Sequence, residues 1–175
     1  MKNLEQLAPN FIQLVDEIGS LNPLQKKSIK KIINSNDEQY LEFAESVVVR
    51  MLVSVDRGEC FDYLAKTYLW YTKLLRIEEM YYAQEGKYRY ENFKEVYEKV
   101  YSRDDYMFDY VVGLGLSQPL WVNHYRIFRF FLEEYVPEQM LFLDHLEYML
   151  RQALLFFHNS RFECPLINPS HTLNH

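Results

Sequence analysis

The residues best able to do chemistry fall in two short runs. Arg103, Asp104, Asp105 and Tyr106 place a guanidinium, two carboxylates and a phenol at consecutive positions. Trp121, Asn123, His124 and Tyr125 follow, beyond Gly113 and Gly115, with an indole, an amide, an imidazole and a second phenol. Breaks between helices expose backbone donors and let side chains of mixed type converge, which is what a small-molecule site requires. The expected substrate-binding set is therefore Arg103, Asp104, Trp121, Asn123, His124 and Tyr125. The same residues carry a second reading, in which Asp104 or Asp105 caps one helix and Asn123 caps another.

Other chemistries leave weaker traces. Metal sites inside helical bundles use inward-facing Glu together with a Glu-x-x-His spacing on paired helices. The residues three before His124, His145 and His158 are Trp121, Phe142 and Leu155, none of them acidic. Glu138 and His145, with Asp144 adjoining, share one helical face and keep a mixed His and carboxylate site open as an alternative. Gly113-Leu114-Gly115 has two glycines of a nucleotide-binding loop, with Glu133 and Glu134 downstream. It lacks the third glycine and is followed by Ser117-Gln118-Pro119 rather than a helix start. Cys60 stands near a helix start, where a thiolate is favoured, but Glu59 and Asp62 oppose a further negative charge. No metal and no cofactor are expected.

The elements that position these residues are helices, since five Gly and six Pro are spread along the chain and period-2 alternation is scarce. A first helix is expected over Leu4 to Ile18, with Phe11, Leu14, Val15 and Ile18 on one face, Pro9 delaying or kinking it and Gly19 ending it. Asn22-Pro23 opens a second, to about Ile33. Asn36 starts a third, with the acids Asp37 and Glu38 in its first turn and Phe43, Ala44, Val47, Val48, Met51, Leu52 and Val55 at helical spacing. The longest runs from Cys60 to Gln84 and is closed by Gly86. A short one carries Tyr90, Phe93, Val96, Tyr97 and Val100. Another, from Tyr106, frays or bends at Gly113 and Gly115. Asn123 to Tyr135 is helical again, and Pro137 opens a last helix to about Phe157. The fold class is all-α, an irregular or orthogonal bundle of about six to eight helices. Residues 1–160 form one domain and 161–175 a flexible tail.

Composition narrows the function classes. A net charge of −6 argues against phosphate-backbone binding, and the run Lys26, Lys27, Lys30 and Lys31 reads as a solvated helix face. No nucleic-acid partner is expected. Neither a signal peptide nor 18 consecutive apolar residues can be found, so no membrane association is expected. Cys60 and Cys164 form no framework, and a cytoplasmic setting follows. The chain is rich in rings, with 15 Tyr, 12 Phe and 2 Trp. Tyr81, Tyr82, Tyr88, Tyr90, Tyr97 and Tyr101 cluster around the end of the longest helix, an expected homodimer face.

Three runs, Tyr63-Leu64-Ala65-Lys66-Thr67-Tyr68-Leu69-Trp70-Tyr71-Thr72-Lys73, Asp104-Asp105-Tyr106-Met107-Phe108-Asp109-Tyr110 and Trp121-Val122-Asn123-His124-Tyr125, carry a family likeness. Over roughly residues 22–138 the chain resembles the helical N-terminal region that precedes the catalytic domain in some bacterial class I S-adenosylmethionine-dependent methyltransferases. Val122 stands where that family's motif has proline. The resemblance implies a helical cap followed by a parallel sheet with a glycine-rich cofactor loop. Here Met140-Leu141-Phe142-Leu143-Asp144-His145 continues as a helical run instead. The expectation is a helical binding or dimerisation module, not catalytic by itself, that works with a catalytic partner protein or a small molecule and binds no S-adenosylmethionine tightly alone. The alternative is a small helical-bundle metalloenzyme or cofactor-dependent enzyme built on His and carboxylates.

Overall fold

The computed structural model describes residues 4–55 and 60–135. All regular structure among them is helical: α1 (Leu4–Leu7), α2 (Pro9–Leu21), α3 (Pro23–Asn34), α4 (Glu38–Ser54), α5 (Cys60–Glu85), α6 (Phe93–Val96), a π-helical turn (Tyr97–Tyr101), α7 (Asp104–Leu120) and α8 (Val122–Tyr135). None of these helices is long and apolar enough to cross a membrane. The division at residue 160, the helix from Pro137, and Glu138, Asp144, His145, His158 and Cys164 all lie outside the described residues.

Local chemistry sets the boundaries. The Asn22 side chain accepts from the Gln25 N–H at 3.2 Å and Pro23 takes the first helical position of α3. The Asp37 carboxylate accepts from the Tyr40 N–H at 3.1 Å to start α4. Gly86, at φ 69°, stops α5 in a backbone region closed to most side chains. The start of α2 has no such device, because Ala8 stands at its cap position. Glu45 of α4 supplies one across the core, its carboxylate accepting from the backbone N–H of Asn10 at 3.3 Å and of Phe11 at 2.9 Å. A negative charge there also opposes the helix dipole.

Two expectations about glycine need correction. The first helix does not run from Leu4 to Ile18: it breaks at Ala8, because Pro9 starts α2, and it passes through Gly19 to Leu21. Nor does the helix from Asp104 fray or bend at Gly113 and Gly115; α7 continues unbroken to Leu120. The reason is packing. A Cβ on Gly113 would lie 2.5 Å from the Cβ of Tyr71, so the missing side chain is what lets α7 lie this close to α5. Pro119 falls in the last turn, where its missing N–H forfeits only the bond to the Gly115 carbonyl.

The core sits where α2 packs on α3, α4 and α5, and where α7 closes over α4 and α5. Phe11, Leu14, Ile18, Tyr40, Val48, Met51, Leu64, Tyr68, Leu116 and Leu120 are fully buried in it. Each such apolar side chain contributes about 1.5–3 kcal/mol of transfer free energy. Tyr40 is the buried polar link. Its hydroxyl donates to the Pro119 carbonyl at 2.7 Å, satisfying one of the orphan acceptors at the end of α7. α8 lies against α7, with Tyr125 edge-on to Tyr40 and tilted against Phe43.

Candidate functional site

The six expected site residues fall into two groups at opposite ends of α7. Arg103 and Asp104 lie at its N-terminus, and Trp121, Asn123, His124 and Tyr125 follow its C-terminus. Because α7 runs unbroken for 17 residues, about 25 Å of helix separates the groups. No single pocket brings all six together.

At the N-terminal end the Arg103 guanidinium lies 5.3 Å from the centre of the Tyr106 ring, which meets Trp70 edge-on at 5.2 Å. Asp104 and Asp105 are exposed acids of the first turn, where the helix dipole favours them, and Arg103 at the cap position makes no side-chain cap bond.

At the C-terminal end the side chains do converge. The Trp121 indole N–H donates to the Tyr68 hydroxyl at 3.1 Å, and its ring stacks on Tyr71 at 5.9 Å. Tyr71 meets Tyr110 edge-on, and His124 tilts against Trp121 at 4.9 Å. Asn123 is exposed, and Tyr125 is buried in the core. Burial pushes the Tyr68 and Tyr71 hydroxyls up to about 12, so both stay protonated at neutral pH. Burial also pushes the His124 imidazole below its ordinary value. Sequence reasoning left Tyr68, Tyr71 and Ser117 out of this group. Tyr68 and Tyr71 lie on one face of α5, but only the crossing at Gly113 shows what that face meets.

Ser117 and His124 have the residue types of a nucleophile and its base, with Oγ 2.9 Å from Nδ1. The rest of the geometry is structural. Ser117 is fully buried, and its hydroxyl donates to the Leu114 carbonyl at 2.6 Å, which leaves it to accept from Nδ1–H. Among the described residues no three His, Cys, Asp or Glu side chains come together in a geometry that could hold a metal ion.

No family model, curated protein or solved structure matches this chain. The surface features of the described residues are therefore the guide to what the fold presents.

The clearest of them is an arm. The buried residues of α5 all lie between Leu64 and Tyr71; beyond Tyr71 the helix holds none, and neither do α6 and the π-helical turn. Half of the large hydrophobic side chains exposed among the described residues fall within 77–101: Ile77, Met80, Tyr82, Tyr88, Phe93, Tyr97 and Tyr101. Contacts tie the segment together. Tyr82 packs on Tyr88 at 4.9 Å, and Arg89 lies over Tyr81 while pairing with Glu78 at 3.0 Å. Lys99 lies over Tyr90, and Phe93 packs on Tyr97 at 6.0 Å. Of the six clustered tyrosines, Tyr82, Tyr88, Tyr97 and Tyr101 are exposed, while Tyr81 and Tyr90 are half-buried beside those cations.

Proposed function

We propose that this chain is a non-catalytic helical binding module that presents the arm of residues 77–101 to a protein partner. The observation that carries the reading is the amount of ring surface left open on one segment. Phe93 is 77% and Tyr88 74% exposed. With Ile77, Met80, Tyr82, Tyr97 and Tyr101 they amount to about 800 Å² of exposed surface, taking about 200 Å² for each large side chain. That total is comparable to one partner's share of a standard protein interface. Tyrosine suits the task because its ring gives contact area while its hydroxyl stays hydrated when half-covered.

The resemblance to the helical N-terminal region of bacterial methyltransferases is compatible with this reading, since that region lies outside the catalytic domain. The junction around Trp121 supports it as well, with the hydroxyl of Ser117 committed to helix backbone. The reading is tested by placing a photoreactive benzoylphenylalanine at position 93 of the full chain and irradiating the cells that make it. A crosslink to protein at position 93, with none from the same probe at Val53 of α4, is the expected result. Absence of any protein crosslink at position 93 would refute the module reading.

A further inference from the structure

We infer that the arm's partner is a second copy of this chain, docked about a two-fold axis so that the α5 limb of one arm lies on the return limb of the other. The inference rests on the binding-module reading above and adds the identity of the occupant. Its first support is area, because about 800 Å² from each of two identical arms makes an interface of standard size.

Its second support is the distribution of charge. The α5 limb, residues 77–86, carries Glu78, Glu79 and Glu85 and no basic side chain. The return limb, residues 87–101, carries Lys87, Arg89, Lys94 and Lys99 against Glu91, Glu95 and Glu98. A chain of net charge −6 repels its own copy at long range, and a surface whose two halves differ in sign offsets that repulsion locally. The arm has that asymmetry, and a two-fold axis sets the α5 limb of each copy, with three acids and no cation, against the return limb of the other, where four cations outnumber three acids by one. Arg89 and Lys99 are held within their own arm by Glu78 at 3.0 Å and Glu95 at 2.6 Å. Lys87 and Lys94 reach only Glu91 at 3.3 Å and Glu98 at 3.9 Å, both across solvent-exposed pairs that contribute little. In the dimer they exchange these weak exposed pairs for Glu79 and Glu85 of the facing copy.

The π-helical turn completes the surface. The Ser102 N–H bonds to the Tyr97 carbonyl at 2.8 Å, closing a wider turn than an α-helix makes. Phe93 packs on Tyr97 at the start of this turn, and Tyr101 at its far end is also exposed.

The test is light scattering on the full chain at micromolar concentration, with circular dichroism to confirm that each variant keeps its helices. The wild type is expected at twice the 21.3 kDa chain mass. The double variant Glu79→Lys/Glu85→Lys and the double variant Lys87→Glu/Lys94→Glu each set like charges against each other and weaken the dimer about tenfold or more. Mixed in equal amounts, the two restore it, because in the mixed pair both limb contacts again join opposite charges. Phe93→Glu dissociates the dimer, whereas Leu24→Glu, at a 78% exposed position on α3, leaves it intact. A wild-type mass of one chain overturns the inference, and so does a mixture that stays monomeric or a dimer lost on Leu24→Glu. A single-chain mass together with a position-93 crosslink to another protein removes the second copy but keeps the binding-module reading. With no crosslink at all, both fall.

Discussion

Replacing Gly113 by alanine sets two effects of opposite sign against each other. Inside a helix, Gly→Ala stabilises by about 0.5–1 kcal/mol through backbone entropy alone. Against that, the new methyl group would lie 2.5 Å from Tyr71 Cβ and 2.7 Å from its Cγ. Those atoms are the root of a buried side chain, so relief requires moving α5 from α7 by about an ångström, and overpacking of this kind costs about 1–3 kcal/mol. With the contact at the severe end of that range, Gly113→Ala is expected to destabilise by about 2 kcal/mol net, and to lower Tm by about 4–8 °C for a chain of this length. Gly19→Ala is the control. Its methyl group would meet chiefly Lys26 Cδ, well out along a flexible side chain, with Cγ at 3.0 Å and Cβ at 3.1 Å needing to give by a few tenths of an ångström, and moving that side chain disturbs its partly exposed pair with Asp16. Thermal and urea denaturation of both variants checks this, and Gly19→Ala should stay within about 1 kcal/mol of the wild type. A Gly113→Ala protein as stable as the wild type, or more so, would refute the close α5–α7 crossing.

Three other outcomes follow from the core. Tyr40→Phe leaves the buried Pro119 carbonyl without its donor and should cost about 1–3 kcal/mol by urea denaturation. Glu45→Ala uncaps α2 at the two backbone N–H groups that it serves, and should cost about 1–2 kcal/mol by the same assay. Burial raises the hydroxyls of Tyr68 and Tyr71 to about 12 from an ordinary value of 10.0, so above pH 10 the unfolded chain gives up protons that the fold retains. Stability is therefore full below pH 10 and is lost as pH rises toward 12, and Tyr71→Phe should flatten that fall in denaturation series at increasing pH.

What the sequence made legible was mostly local. Asn22-Pro23 and Gly86 act through their own backbone neighbourhood and mark the boundaries they were expected to mark, while α4 starts one residue later than expected, with Asp37 rather than Asn36 as its cap. The helical spacing of Val47, Val48 and Met51 likewise identified a buried face. Gly19, Gly113 and Pro119 misled because breakers read locally as ends, whereas here Gly19 and Gly113 are points of close helix approach and Pro119 sits in a final turn. That one misreading also shaped the expected site. A bend at Gly113 would have folded Arg103 and Asp104 toward Trp121 and His124, and a straight α7 holds them apart. The capping of α2 by Glu45 could not be read at all, since it joins residues 34 apart in sequence. The tyrosines around the end of α5 were legible by number, and the structure adds that most of their rings stand open.

Amide hydrogen exchange of the full chain, compared between concentrated and dilute solution, tests the arm most directly. The account predicts concentration-dependent protection of peptides within 77–101, with α3 and the solvent side of α4 unchanged. Protection that appears on α3 or α4 instead, or exchange within 77–101 that is identical at both concentrations, would contradict it.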